Sequence, residues 1–276
     1  MRRLSLAGFF VVCAVALAQI ASAADLPRKA PPAAAPPPWS WTGWYIGANI
    51  GYGWGDSTDP QLTVVNPGSA GNIGPFLGSG LPGFSSGNLF PDLNPSGVFG
   101  GAQLGYDHQL GKWLLGAVAD IQAANFEDSQ VVTTPAATTC CNADESLKAR
   151  MNWFGTVRGK LGYTANDWLV YATGGLAYGR VTSDIGFACT PGGIACGGIN
   201  FSGSRSETKA GWAAGAGVAY HVPGTRASIG LEYLHIDLGR SSVTALDQTT
   251  VFPTTTVTES QRFANELLRF TVNFKL

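Results

Sequence analysis

Between Trp44 and Trp54 every second residue is apolar: Trp44, Ile46, Ala48, Ile50, Tyr52 and Trp54, with Tyr45, Gly47, Asn49, Gly51 and Gly53 between them. A period of two is the mark of a β-strand, whose successive side chains point to opposite faces. Glycine weakens a strand unless another backbone or a crowded interior lies close. A strand that is bulky on one side and nearly bare on the other therefore needs two unlike environments. The alternation recurs at about 43–55, 97–108, 113–125, 149–163, 168–181, 207–222, 226–239 and 264–276. Helix-period patterns are absent, so an all-β fold is expected.

The connections between these eight segments alternate in length. Gln109–Lys112, Thr164–Asp167 and Pro223–Thr225 are tight, whereas Asp56–Ser96, Glu127–Lys148, Thr182–Ser206 and Arg240–Phe263 are long. A soluble sandwich has no reason to alternate in this way; a transmembrane β-barrel does, with short periplasmic turns and long extracellular loops. Each segment is long enough for a tilted crossing, which takes about 9–11 residues. The expected fold is an eight-stranded antiparallel transmembrane β-barrel formed by residues 41–276. Ten strands is the alternative, if 241–260 forms another hairpin inside the membrane.

A barrel predicts which face meets lipid. The turn-proximal ends of the apolar faces carry Trp44, Tyr106, Trp113, Tyr163, Trp168, Tyr220 and Phe274, an aromatic at one level on seven of eight strands. Amphipathic rings favour the lipid–water interface, so these residues are expected to form a girdle. Trp54, Trp153 and Tyr178 begin a second girdle at the loop ends, with Met151 expected on the same lipid-facing side. The opposite faces carry Asp107, Asp120, Arg150, Arg158, Lys160, Glu207, Lys209, Glu232, Arg269 and Lys275, joined by polar residues that include Asn152. These are the expected lumen-lining charges. An eight-stranded barrel is only just wide enough for its own side chains, so mixed charges beside glycine point to a plugged lumen. A narrow solute path lined by Arg158, Lys160 and Arg269 is the sharper alternative.

Residues 1–23 have the form of a secretory signal peptide: Arg2 and Arg3, an apolar run from Leu4, and a small-residue site at Ala21-Ser22-Ala23. Cleavage leaves 15 Lys plus Arg against 18 Asp plus Glu, a balance that does not suit a polybasic nucleic-acid binder. Residues 24–40 are Pro/Ala-rich and read as an extended periplasmic linker. No later stretch is apolar enough for a spanning helix. Export favours disulfides, and Cys140, Cys141, Cys189 and Cys196 allow three pairings; no His stands near them to complete a metal site.

Catalytic, metal and cofactor sites are not expected. Gly83-Phe84-Ser85-Ser86-Gly87 matches the esterase pattern G-x-S-x-G, but it lies in a Gly/Pro-rich loop without the strand-to-helix turn that pattern requires. His108, His221 and His235 form no His–carboxylate set converging at one rim.

Several stretches together resemble one family: WTGWYIGANIGYGWG after the Pro/Ala-rich linker, NWFGTVRGKLGYTANDWLVYATGGLAYG at 152–179, GWAAGAGVAYHV at 211–222, SIGLEYLHIDLG at 228–239 and the closing LRFTVNFKL. These are similar to the small porin-like outer-membrane β-barrel proteins of alphaproteobacteria, the outer-membrane immunogenic protein type, related to the OmpA-type barrel. The resemblance implies an outer-membrane location and a non-enzymatic protein that contributes to envelope structure and displays surface loops. The alternatives are a narrow porin and an adhesin or ligand receptor, for haem as an example, acting through the loops. The implied partners are outer-membrane lipid, the barrel-assembly machinery through the C-terminal strand, and a host or extracellular ligand at the loops. Such barrels usually end in Phe, whereas this chain ends in Leu276 after an intact alternation of Phe270, Val272 and Phe274. Leu276→Phe is therefore expected to leave outer-membrane assembly unchanged or improved, read as the heat-modifiable fraction in isolated membranes; poorer assembly would contradict it.

Overall fold

The computed structural model describes residues 39–55, 61–65, 93–134, 141–191, 200–248 and 256–276. They form nine strands: β1 (Gly43–Gly55), β2 (Gln61–Val65), β3 (Gly97–Leu110), β4 (Trp113–Thr134), β5 (Cys141–Ala165), β6 (Trp168–Pro191), β7 (Asn200–His221), β8 (Ala227–Asp247) and β9 (Thr256–Lys275). Eight of them pair antiparallel in the order β1-β3-β4-β5-β6-β7-β8-β9, and β9 returns to β1, with Ile46 opposite Phe274. In the half of the barrel nearer the tight turns closure leaves no edge, which is what lets strands satisfy their backbone groups in lipid. The short β2 pairs with the far part of β9, Gln61 opposite Ser260. The stretch 241–260 adds no further hairpin to the wall: β8 runs to Asp247 and β9 begins at Thr256, so the ring has eight strands. The signal segment, most of the linker and Gly83–Gly87 lie outside the described residues, as do the side chains of all four mature cysteines.

The three tight turns lie at one end. Leu110 pairs with Trp113 and Ala165 with Trp168, each across two residues. Gly111 (φ 63°), Asn166 (φ 54°) and Gly224 (φ 79°) supply the left-handed backbone these reversals need. Register then places the girdle residues in cross-strand pairs: Trp44 opposite Tyr106, Trp113 opposite Tyr163, Trp168 opposite Tyr220. Their ring centroids are 5.2, 5.5 and 4.8 Å apart, and all point outward. The bare face of β1 looks into a crowded interior. A β-carbon on Gly53 would stand 2.5 Å from the Phe126 ring, and one on Gly51 2.6 Å from Phe99.

The strands run further than the alternation suggested. β5 has 25 residues and β6 has 24, about twice a membrane crossing. Segments read as loops, such as 127–134, 141–148 and 182–191, continue the ladder above the membrane band. There the pattern inverts. Leu147, Ile185, Phe187, Phe201, Val243 and Val257 are buried inside, while Lys148–Glu127 and Arg150–Asp184 ion pairs stand on the outer wall. With water instead of lipid outside, this part is held as a soluble barrel is, by an apolar interior.

A bulge on β5 produces part of that inversion and corrects three assignments. Asn152 is the extra residue between Met151, opposite Val181, and Trp153, opposite Arg180. One extra residue swaps the faces of everything beyond it. Met151 is therefore buried inside at 1% exposure rather than lipid-facing. Arg150 lies outside on Asp184, at 2.7 Å, rather than in the lumen, and Asn152 is exposed. β8 has a comparable irregularity between Asp237 and Arg240, around Gly239 (φ 77°).

Candidate functional site

The lumen holds four charged side chains, Asp120, Arg158, Glu232 and Arg269, of residues at most 4% exposed. Alternation turns Asp120 of β4, Thr156 and Arg158 of β5, Glu232 of β8 and Arg269 of β9 inward, and closure brings these distant strands face to face. Arg158 donates to Asp120 Oδ2 at 2.9 Å and to Glu232 Oε1. Arg269 bridges the same two oxygens, each at 3.1 Å. The two arginines are 1% exposed. Thr156 adds a hydroxyl donor to Asp120 at 2.8 Å, and Tyr171 donates to Glu232 Oε2 at 2.8 Å. Two cations and two carboxylates thus form a closed, neutral ring. Taking four charges out of water costs several kcal/mol each, which only dense mutual pairing offsets.

Toward the turn end lies a second neutral unit. Lys160 bonds Asp107 at 2.6 Å and the Tyr45 hydroxyl at 3.2 Å, with its ammonium 4.9 Å over the Tyr45 ring. Tyr45 fits because Gly105 opposite has no side chain: a β-carbon there would stand 2.3 Å from the Tyr45 ring. On the loop side of the quartet, Phe99, Phe126 and Phe154 pack with centroids 5.4 to 6.0 Å apart. All three are at most 3% exposed. Ion pairs thus occupy one level of the lumen and aromatic rings the next.

The mouth at the turn end is covered by the end of the linker. Trp41 packs on Leu114, Leu169, Tyr171 and Ala219. Trp39 stacks on His221, with centroids 3.7 Å apart and planes 7° from parallel. Lys275 donates to the Ser40 carbonyl at 2.7 Å. Between this clasp and the quartet remains a cavity of about 40 Å³, room for about three waters.

Of the ten residues expected in the lumen, Asp107, Asp120, Arg158, Lys160, Glu232 and Arg269 meet there and Lys275 lies at its mouth. Glu207 and Lys209 sit instead where β7 and β8 are not paired, between Ser202 and Trp212. Glu207 accepts from Ser241 at 2.6 Å and lies 3.6 Å from Lys209. Thr156 is among the inward polar residues the sequence points to, whereas sequence reading missed Tyr45 and Tyr171 as partners, although each interrupts its inward face with a hydroxyl. It also missed two His–carboxylate pairs at opposite ends. His221 bonds Asp167 at 3.0 Å beside the turns, and His235 bonds Glu266 at 2.6 Å on the outer wall. Among the described residues neither imidazole is bonded to a Ser, Thr or Cys side chain.

Two further carboxyls are buried above the membrane band. Glu145 and Glu259 are 2% and 0% exposed, and no oxygen of either has a hydrogen-bond partner. Burial alone pushes the Glu145 carboxyl up to about 7 and that of Glu259 up to about 8.

Residues 10–258 match the family model described as an outer membrane protein beta-barrel domain. The chain is 34% identical over 248 residues to the 31 kDa outer-membrane immunogenic protein of Brucella melitensis, covering 88% of each. It is 26% identical over 179 residues to the 22 kDa outer membrane protein of Rhizobium leguminosarum, covering 64% of this chain and 69% of that one. Among solved structures, the outer membrane protein OprG of Pseudomonas aeruginosa aligns over 85% of this chain and 97% of its own, at 13% identity and a TM-score of 0.42.

Proposed function

This chain belongs to the outer membrane protein beta-barrel family and lies in the outer membrane, and from that premise we propose that it is a non-conducting, non-enzymatic envelope scaffold that presents loops to the outside. The observation that carries this reading is the doubly sealed lumen: a neutral Arg158–Asp120–Arg269–Glu232 quartet beneath Phe99, Phe126 and Phe154. A porin keeps an aqueous channel, whereas this interior is occupied by buried ion pairs and aromatic rings. The strands above the membrane band, packed around their own apolar interior, form a stalk for the loops. Rigid scaffolds carrying variable loops are where recognition is usually placed. The relative's printed name, an immunogenic protein, fits a surface presented in this way.

The assembly machinery would engage β9, whose outward Phe270, Val272 and Phe274 are solvent-accessible in the isolated barrel. Planar-bilayer recording tests the main reading. Folded, heat-modifiable protein is expected to be silent. Reproducible conductance steps whose ion selectivity changes in Arg158→Glu would overturn the scaffold in favour of the narrow porin.

A further inference from the structure

His221 ends β7 at the mouth, and its imidazole is held from three directions. Nδ1 lies 3.0 Å from the Asp167 carboxylate, Nε2 lies 3.0 Å from the Thr225 carbonyl, and the Trp39 indole stacks on the ring with centroids 3.7 Å apart. The residue is 5% exposed. A carboxylate and a backbone carbonyl can only accept hydrogen bonds. A neutral imidazole has one N–H, so it donates to one of the two and sets the lone pair of its other nitrogen against the second; an imidazolium donates to both.

The charged form also suits the stack, because an indole face attracts a cation. Trp39 already meets one: the Lys275 ammonium stands 4.9 Å from its ring centroid. The charged groups that the surrounding elements bring to this rim are Asp167 from the β5–β6 turn, Arg226 from the β7–β8 turn and Lys275 from β9. The ionic groups deeper in the lumen are paired with one another. Arg226 and Lys275 oppose a charge on His221, but among the described residues neither bonds it, whereas Asp167 is in direct contact.

We propose that His221 makes the tryptophan clasp a pH-sensitive closure, held in acid and loosened in alkali. Histidine is the side chain whose charge ordinarily changes between about pH 5 and 8. In acid the ring takes a proton from water, donates to Asp167 and Thr225 together, and holds Trp39 as a cation against its face. As pH rises the proton returns to water, one of the two hydrogen bonds is lost, and Trp39 keeps only the neutral stack and Lys275. Trp39 then detaches more readily, and Ser40 and the end of the linker with it, while Trp41 stays packed on Leu114, Leu169 and Tyr171. The quartet lies deeper than the clasp, so silent bilayers are expected whether or not Trp39 moves, and this inference and the scaffold reading fail separately.

The test is a pH titration from 5 to 9 of the folded full barrel in lipid nanodiscs, labelled with 5-fluorotryptophan. The readout is the broadening of the Trp39 ¹⁹F signal, identified by its loss in Trp39→Phe, by a neutral water-soluble paramagnetic agent. The ratio of held to detached Trp39 is expected to be about twofold to thirtyfold higher in acid, the range that a cation adds over an aromatic face. Broadening of Trp39 therefore grows toward pH 9, with the midpoint at which the His221 ring ¹⁵N signals change, while the Trp41 signal stays constant. His221→Gln is expected to keep heat-modifiable mobility and to leave Trp39 at its alkaline accessibility at every pH. Asp167→Asn, which keeps the stack and removes the counter-charge, is expected to move the transition to lower pH. A Trp39 signal indifferent to pH, one more accessible in acid, a pH response surviving in His221→Gln, or a transition unmoved in Asp167→Asn would each overturn the proposal.

Discussion

Arg158→Ala is expected to cost the folded barrel about 3–5 kcal/mol, the penalty of breaking a buried ion pair from one side. Asp120 and Glu232 would then share Arg269 alone, leaving one uncompensated negative charge where exposure is almost nil. Thr156 Oγ1, which accepts from Arg158 Nε at 2.8 Å, loses that donor as well. The loss is read as the urea midpoint of the barrel in phospholipid vesicles, with heat-modifiable mobility as the check on folding. Arg158→Ala combined with Asp120→Ala removes one charge of each sign, leaves Arg269 on Glu232, and is expected to recover a large part of the deficit. An effect of Arg158→Ala below about 1 kcal/mol, the range of exposed pairs, would show that the quartet is not what holds these strands together.

The second large effect concerns the barrel above the membrane, and it depends on pH. Glu259 is fully buried without a partner, and burial moves its carboxyl from the ordinary 4.5 to about 8. The folded state therefore holds a proton that the unfolded state has released between those values. Stability falls as pH rises through that window, because the unfolded chain binds fewer protons. The full loss, reached above pH 8, is at most about 4–5 kcal/mol from a displacement of this size. Glu145, raised to about 7, adds a loss over a narrower window from 4.5. Glu259→Gln keeps the shape of the neutral acid at every pH, so the variant and the parent are expected to coincide near pH 4.5 and diverge toward pH 9, the variant being more stable. Urea midpoints at pH 5, 7 and 9 check this, with limited proteolysis of the extracellular strands alongside. A parent protein whose stability is flat or rises between pH 5 and 9 would sink the idea.

What the sequence disclosed and what it hid follow from the solvent on each side of the strand. In the membrane band, lipid on one face and a crowded lumen on the other enforce a period of two that Trp44–Trp54 shows without help. Strand number, turn polarity and the pairing of Trp113 with Tyr163 all rest on that band. Above it the outer solvent becomes water, and the apolar residues must change sides. On β6 they shift from even positions, such as Leu176 and Tyr178, to odd ones, Val181 and Ile185, and the alternation looks lost to a reader following one parity. On β5 the reverse happens. Apolar residues keep odd positions through Tyr163, Leu161, Val157, Trp153, Met151, Ala149 and Leu147, and the bulge at Asn152 carries the run from lipid into the core. The sequence pattern is continuous there while the environment is not, and Arg150 and Met151 were misplaced for that reason. The quartet was legible as a set of inward charges. Its closure was not, because Arg269 reaches Asp120 across a residue separation of 149, which no local pattern encodes.

The junction of β1 with β9 has a consequence in time. Tyr45, near the start of the barrel, lies opposite Lys275, one residue from the end of the chain. The rungs that close the ring have the longest sequence separation the fold offers, and contacts of that kind form late because the intervening chain must be ordered first. Until the final strand is available, β1 and the growing opposite margin stay unpaired, and an apolar wall meant for lipid is left facing water. Such a chain is open to aggregation for as long as the first strand waits for the last. How long the chain stays open in this way is therefore settled by how soon residue 275 arrives beside residue 45.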